Sequence, residues 1–501
     1  MTGKMRVLYI HATPVPPPLD KRSDRFFLLS ETLEGDVLQP VWFRTPEEIE
    51  AEFGAGYFPV YVSGRFRYHW FLAFLPDGRN RSRLAQFWFY IRKGLELHRK
   101  QAFDCVIAYS HMTTGLMAAC VKLLTGAKLI IELATNPQLA YLTQRARPTM
   151  RDRLMKLYSD ACLYLSMWAA DRVHLLNTGQ LAAYPLLRKV NTSVFHEFVP
   201  VSAIAAHTED QERYVLMVGS PWYLKGADRL IEAFQRMAPD FPDVKLKIAG
   251  WYLKTEREQL EALAGGSKQI ELVPAAPNPL MLQIISRCLV LVHPSRCEGG
   301  PRTVIEGLAA GVPVVGSDVG LIPELIHQGE NGFVVPDGNV RELEERLREL
   351  LADPELRCRM GANGYELAHT QLTEEVYVAR FTAMVAATLV GRPMRSKRPD
   401  KVRSLDETVP GRLAWSKSAK SATQFFTWSS TLIAARLLSP GRVRLGQHAP
   451  TLQRSGGLAG RVRFGPGGLA DARRGRRHGD GIEPSSLGER EEASVGPGRS
   501  T

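Results

Sequence analysis

Short runs of consecutive apolar residues alternate along this chain with longer stretches in which apolar residues recur every three or four positions. In the first half, residues 6–10 (RVLYI), 104–110 (DCVIAYS), Lys128–Leu133 (KLIIEL) and 172–176 (RVHLL) are short runs rich in β-branched residues. The second half repeats the pattern with YVLMVGS from Tyr214, VKLKIAG from Val244, then QIELV, LVLVHPS (residues 289–295) and VPVVGS. Uninterrupted apolar runs of this length predict strands buried on both faces, and the helical segments between them predict parallel sheets with crossover helices. Periodicity is lost across VNTSVFHEFVPVSAIAAHTEDQE. That break predicts an N-terminal domain at 1–197, a linker at 198–211 and a C-terminal domain at 212–390, followed by a tail at 391–501. The fold class is therefore α/β, with two Rossmann-like domains facing across a cleft and ligands at the C-terminal ends of strands. A last helix is expected over Glu374–Leu389.

Composition changes this picture only for the tail. The 501 residues are 45% hydrophobic, as in a globular chain of two or three domains. The formal charge is +12, but residues 392–501 hold 21 basic and 9 acidic residues, which accounts for the whole excess. The high isoelectric point is a property of the tail, so nucleic-acid binding by the body is not expected. Six scattered cysteines without a CxxC pair read as reduced residues of a cytoplasmic protein, with Cys297 a reachable one beside Glu298. The first apolar run is a five-residue strand rather than a signal sequence, and the body has no apolar stretch of about twenty residues.

The chemistry concentrates in residues 298–306, EGGPRTVIE, where a buried strand turns into a helix expected over 303–310. Gly299 and Gly300 let the backbone approach a ligand, and Pro301 suits a first helical turn. The N–H groups of Arg302, Thr303 and Val304 would point outward with the positive end of the helix dipole behind them, which suits a diphosphate. Glu306 is placed to accept hydrogen bonds from a ribose diol, and Glu298 to face a sugar. The segment runs on as GLAAGVPVVGSDVGLIPELI, ending in Pro323-Glu324. Together these residues resemble the donor-binding signature of GT-B glycosyltransferases of family 4. The resemblance covers roughly residues 100–390, is strongest over 214–337, and implies transfer of a sugar from a nucleotide diphosphate with retention.

A second element, VLMVGSPWYLKGADRLIEAF, ends a strand at Gly219 and opens a helix after Lys225-Gly226. Lys225 matches the family's diphosphate lysine by spacing, while Ser220 stands where relatives usually carry a basic residue, so one diphosphate contact is expected either to be weaker or to come from elsewhere, with Arg302 the candidate. No Asp-x-Asp and no zinc-type spacing occurs. Charge on the leaving diphosphate is then expected to be stabilised by helix N-termini and Lys225, without metal or other cofactor.

The first domain departs from its relatives. After the first strand it reads HATPVPPPLDKRSDRF, stiffened by Pro14, Pro16, Pro17 and Pro18. Glu132 and Asn136 lie where a histidine is common, so His111, ending a strand, is the candidate for touching donor sugar or acceptor; a structural histidine is the competing reading. Aromatics crowd residues 57–99 beside Arg65, Arg67, Arg92 and Lys93, and RARPTMRDRLMKLYSD adds a basic helix. These suit either an anionic membrane surface bearing a lipid-linked acceptor or an ordinary core with solvated charges. In the tail, SLDETVPGRLAWSKSAKSATQFFTWSSTLIAARLLSPGR resembles the start of a bacterial polysaccharide flippase and then gives way to Gly/Arg-rich sequence expected to be disordered. The expectation is a retaining glycosyltransferase of surface polysaccharide biosynthesis, cytoplasmic or peripheral on the membrane's inner face. A GT-B epimerase and a non-enzymatic membrane-associated binder are the alternatives; a dehydrogenase is disfavoured because VLYIHATPVPPP lacks G-x-G-x-x-G.

Overall fold

The computed structural model describes residues 4–390 except 12–20, 42, 44, 54–57, 59, 76–80, 135, 137–140 and 209–212. The proline-rich loop at Pro14–Pro18, linker residues 209–211 and the flippase-like tail at 391–501 lie outside the described residues.

Two sheets organise the chain. The first contains β1 (Met5–Ile10), β2 (Leu33–Val41), β3 (Val60–Ser63), β4 (Phe66–Leu72), β5 (Cys105–Tyr109), β6 (Lys128–Leu133), β7 (Arg172–Leu175) and β8 (Asn191–Val194). Their order is β3-β4-β2-β1-β5-β6-β7-β8, parallel throughout except for the β3 edge. The second contains β9 (Arg213–Val218), β10 (Val244–Gly250), β11 (Ile270–Pro274), β12 (Val290–His293), β13 (Val314–Ser317) and β14 (Gly332–Val335). Its order is β11-β10-β9-β12-β13-β14, all parallel.

Side chains alternate across each strand, so a strand covered on both faces must be apolar at every position. In β1, Leu8 and Ile10 pack with the helices Arg83–Lys100 and Thr113–Thr125, while Val7 and Tyr9 pack on the other face with Phe26 and Phe66. In β9, Val215 and Met217 meet the helix Ala227–Met237, and Tyr214 and Leu216 share a core with the helix Arg302–Ala310.

After the helix Pro354–Gln371, Thr373 caps a last helix, Glu374–Leu389. That helix joins the core of the first sheet through Tyr377, Phe381, Met384 and Val385. Arg25 donates to the Tyr377 hydroxyl at 3.1 Å and Arg172 to the Thr388 hydroxyl at 3.0 Å. Glu132 belongs to this clasp: it accepts from Tyr9 and from His174 and lies 3.9 Å from Arg25. Where the chain first leaves the N-terminal domain, Ser202 donates through its N–H (3.0 Å) and its hydroxyl (2.6 Å) to Glu374. The two chain crossings between the domains are thus tied to each other.

The aromatics of β4 settle into the core: Phe66, Tyr68, Trp70 and Phe71 are all buried. For these residues the structure favours the core reading over the membrane one. No described helix is long and apolar enough to cross a membrane.

Candidate functional site

In the second sheet, connections run outward in opposite directions from β9 and β12, and this switch point opens a crevice at the strands' C-terminal ends. Two of the sequence-predicted residues, Lys225 and Glu298, meet there. β9 ends at Gly219, whose backbone adopts a φ of 144°, and the stem of Lys225 packs over it. Lys225 Nζ reaches back to Glu298 Oε1 at 2.5 Å, so the two loops meet in a largely buried ion pair.

The loop carrying Lys225 is held from below. Arg296 grips Asp228 through two bonds of 2.8 and 2.6 Å and lies 3.7 Å from the centre of the Tyr223 ring. Gly226 has φ 77°, and a Cβ there would stand 2.0 Å from the Pro294 carbonyl oxygen. Only glycine fits that contact. Ser220, one of the predicted donor-binding residues, bonds the backbone of the loop after β10. Its hydroxyl donates to the Trp251 carbonyl (2.7 Å) and accepts from the Trp251 N–H (2.9 Å), stitching the loops after β9 and β10 together.

Glu298 also accepts from His293 Nε2 and Ser295 Oγ, both at 2.8 Å. A carboxylate only accepts, so His293 carries its proton on Nε2, and Nδ1 lies 3.3 Å from the Thr303 hydroxyl. Burial alone would raise the Glu298 carboxyl, but the charges and hydrogen bonds of Lys225 and His293 outweigh it and hold it down to about 2. At neutral pH Glu298 is a fixed negative charge and not a proton donor. Cys297, expected to be reachable, is buried, and burial followed by the Glu298 charge pushes its thiol up to about 12.

The helix Arg302–Ala310 begins one residue earlier than its pattern predicts, with Pro301 at its N-cap and no side chain capping it. Val304 N–H bonds the Pro301 carbonyl at 3.1 Å, which corrects the expectation of three outward amides to two, those of Arg302 and Thr303. One turn beyond Thr303 lies Glu306, buried, with no hydrogen bond to its carboxylate among the described residues. Burial raises its pKa and the nearby Arg302 charge lowers it only in part.

The N-terminal domain closes over the glycine pair. Leu176 and Asn177 follow β7, and a Cβ on Gly300 would come within 3.0 Å of the Leu176 side chain. Asn177 Nδ2 donates to the Gly299 carbonyl at 2.9 Å, and the Thr178 N–H and hydroxyl both donate to Glu324 at 2.7 Å. Sequence reasoning missed Asn177 and His293. The signal available for Asn177 was a polar pair, Asn177-Thr178, at a strand end before a helix start. Replacing Asn177 by alanine is expected to cost about 1–2 kcal/mol of thermal stability, because the Gly299 carbonyl and Gln180 N–H lose a buried partner; an unchanged melting curve would show that the domain contact contributes nothing.

His111 is not brought to this crevice by any bond among the described residues. Its ring is buried against the helix Met150–Ala169, 2.9 Å from the Ser159 hydroxyl, and burial lowers it to about 4, a neutral imidazole. At the switch point of the first sheet, between β1 and β5, His11 instead stacks on Tyr109 with ring centres 4.8 Å apart.

Residues 203–367, which contain Lys225, Glu298 and Glu306, match the family model for glycosyl transferases group 1. This domain is a group 1 glycosyl transferase domain. The described residues have the GT-B fold: the chain is similar to HepE of Anabaena, solved with UDP, at a TM-score of 0.54 and 15% identity over 76% of this chain and 100% of that one. Among relatives of the glycosyl transferase domain, an uncharacterized glycosyltransferase of Methanocaldococcus jannaschii is 32% identical over 32% of this chain and 45% of its own length. A capsular polysaccharide biosynthesis glycosyltransferase, CapM of Staphylococcus aureus, is 26% identical over 30% of this chain and 40% of its own length. The chain spans about half or less of these relatives.

Proposed function

We propose that this protein transfers a sugar from a nucleoside diphosphate to a saccharide acceptor in the building of a bacterial surface polysaccharide. The observation that carries the reading is Glu306: a buried residue whose carboxylate makes no hydrogen bond among the described residues, one turn inside a helix that no side chain caps. A ribose diol would supply two donors to that carboxylate, while the diphosphate would lie across the N–H groups of Arg302 and Thr303 and against Lys225. Lys225 then bridges the incoming phosphate and Glu298, and Glu298, kept ionised, orients the sugar hydroxyls without moving a proton. Leaving-group charge is stabilised by groups already in place, which fits a reaction without metal. Family resemblance supports retention at the anomeric carbon. His11 and Tyr109, at the switch point of the facing domain, are the natural contacts for the acceptor, which we take to be lipid-linked. Two further strands of support are UDP in the HepE structure and the capsular role of CapM.

Screening nucleoside diphosphate sugars by thermal shift tests this directly, since a ligand bound only by the folded protein raises its melting temperature. Glu306→Ala is expected to abolish the shift, a loss of at least about tenfold in affinity. Because Glu306 is raised above the usual carboxylate range, donor affinity should climb as pH rises through its ionisation, and Glu306→Gln should flatten that profile. A full shift retained in Glu306→Ala would refute the ribose assignment.

A further inference from the structure

The helix Met150–Ala169 carries large apolar side chains on its outward side as well as on its buried one. Its buried face mixes Asp152, Ser159 and Ser166 with Cys162, Leu163, Met167 and Ala169, yet Met150, Leu157, Tyr164, Leu165 and Trp168 are 51 to 80% exposed. Met150, Leu157, Tyr164 and Trp168 fall at helical spacing, with Arg153 and Ala161 filling the same stripe, so they line one side of a helix about 30 Å long. An outward stripe of large apolar side chains, interrupted only by Arg153 near its start, is not what water selects on a monomer.

Charge indicates what covers it. The helix and the turn before it carry Arg145, Arg147, Arg151, Arg153 and Lys156 against two acids. Both acids are engaged: Asp152 closes the capping box with Thr149, and Asp160 pairs with Lys156 at 2.5 Å. Arg147, Arg151 and Arg153 are exposed at the end of the stripe where the helix begins. In a pairing of two copies of this helix, those arginines would be buried with no free carboxylate on the helix to meet them. On a lipid surface, by contrast, guanidinium groups sit at the phosphate level while Leu165 and Trp168 enter the acyl boundary. Two other helices share this core on the first sheet: Thr113–Thr125 packs beside Met150–Ala169, and Arg83–Lys100, beyond it, adds exposed Leu84 and Trp88.

We propose that the outward face of the helix Met150–Ala169 is a docking surface for an anionic lipid bilayer, on which the helix lies flat. It places the N-terminal domain, which the proposed function assigns to the acceptor, against the membrane. The proposal does not depend on the transfer reaction, because binding to vesicles needs neither donor nor acceptor.

The test is flotation of the full chain with vesicles of phosphatidylcholine containing about a third phosphatidylglycerol, against phosphatidylcholine alone. Binding is expected to the anionic vesicles, weakening as salt is raised. The double substitution Leu165→Glu with Trp168→Glu should lower the partition coefficient about tenfold or more. Both side chains are exposed, so its circular dichroism and melting temperature should match wild type. If wild type fails to float, the proposal is overturned. It is equally overturned if the double variant floats undiminished, the result expected were the basic segment 392–501 the only attraction. A wild-type dimer in sedimentation that the double variant converts to monomer would assign the face to self-association and also sink the proposal.

Discussion

Glu298→Ala is expected to be the most damaging single substitution in this chain. It removes the acceptor shared by Lys225 at 2.5 Å and by His293 and Ser295 at 2.8 Å, leaving a buried ammonium without a counter-charge. Removing one partner of a buried pair typically costs about 3–5 kcal/mol, which a denaturant titration would resolve easily. Turnover should fall further, by about a hundredfold or more, since Lys225 loses the contact that aims it. Glu298→Gln keeps the shape without the charge and should fall between. The pH dependence has a definite sign. With its folded pKa depressed to about 2, Glu298 contributes stability that is fully present above the ordinary glutamate range near 4.5 and is lost as pH falls from there towards 2. A variant whose acid unfolding curve overlays wild type would show that the pair contributes nothing.

Gly226→Ala should be nearly as severe, for a steric reason. The backbone there is left-handed, φ 77°, and the added methyl would sit 2.0 Å from the Pro294 carbonyl oxygen. The conformation alone costs about 1–2 kcal/mol in an L-residue, and relief of the overlap must displace the loop or β12's exit, for a total of about 2–4 kcal/mol. Gly265 is the control: it is also left-handed, φ 61°, but its nearest neighbour would be 3.7 Å from the new methyl. Gly265→Ala should therefore show the conformational cost alone. Equal melting temperatures for the two variants would remove the steric argument. Donor binding should fail in Gly226→Ala and survive in Gly265→Ala, because only the former moves Lys225.

The sheets and the donor loop were legible because their signals are local. A buried parallel strand announces itself in five or six residues, and the turn from Glu298 to Glu306 is one contiguous run. What spacing could not convey are the partners. Lys225 and Glu298 are 73 residues apart, and nothing in either segment says that they form a pair. Asn177 and Gly299 are 122 apart, in different domains. Ser220 was read against relatives as a weakened anion contact, whereas its short side chain serves both backbone atoms of Trp251. The β4 aromatics, standing beside arginines, fitted either a surface or a core, and alternation decides for the core: Arg67 bonds Asp36 from the exposed side, between buried Phe66 and Tyr68. His111 lies two residues beyond the end of β5 at Tyr109, and tertiary packing gave it Ser159 as its partner.

Ser202 and Glu374 tie the outgoing and returning strands of chain into one knot between the domains. Moving the domains apart with that tie intact has to break the bonds from Asn177 to Gly299 and from Thr178 to Glu324.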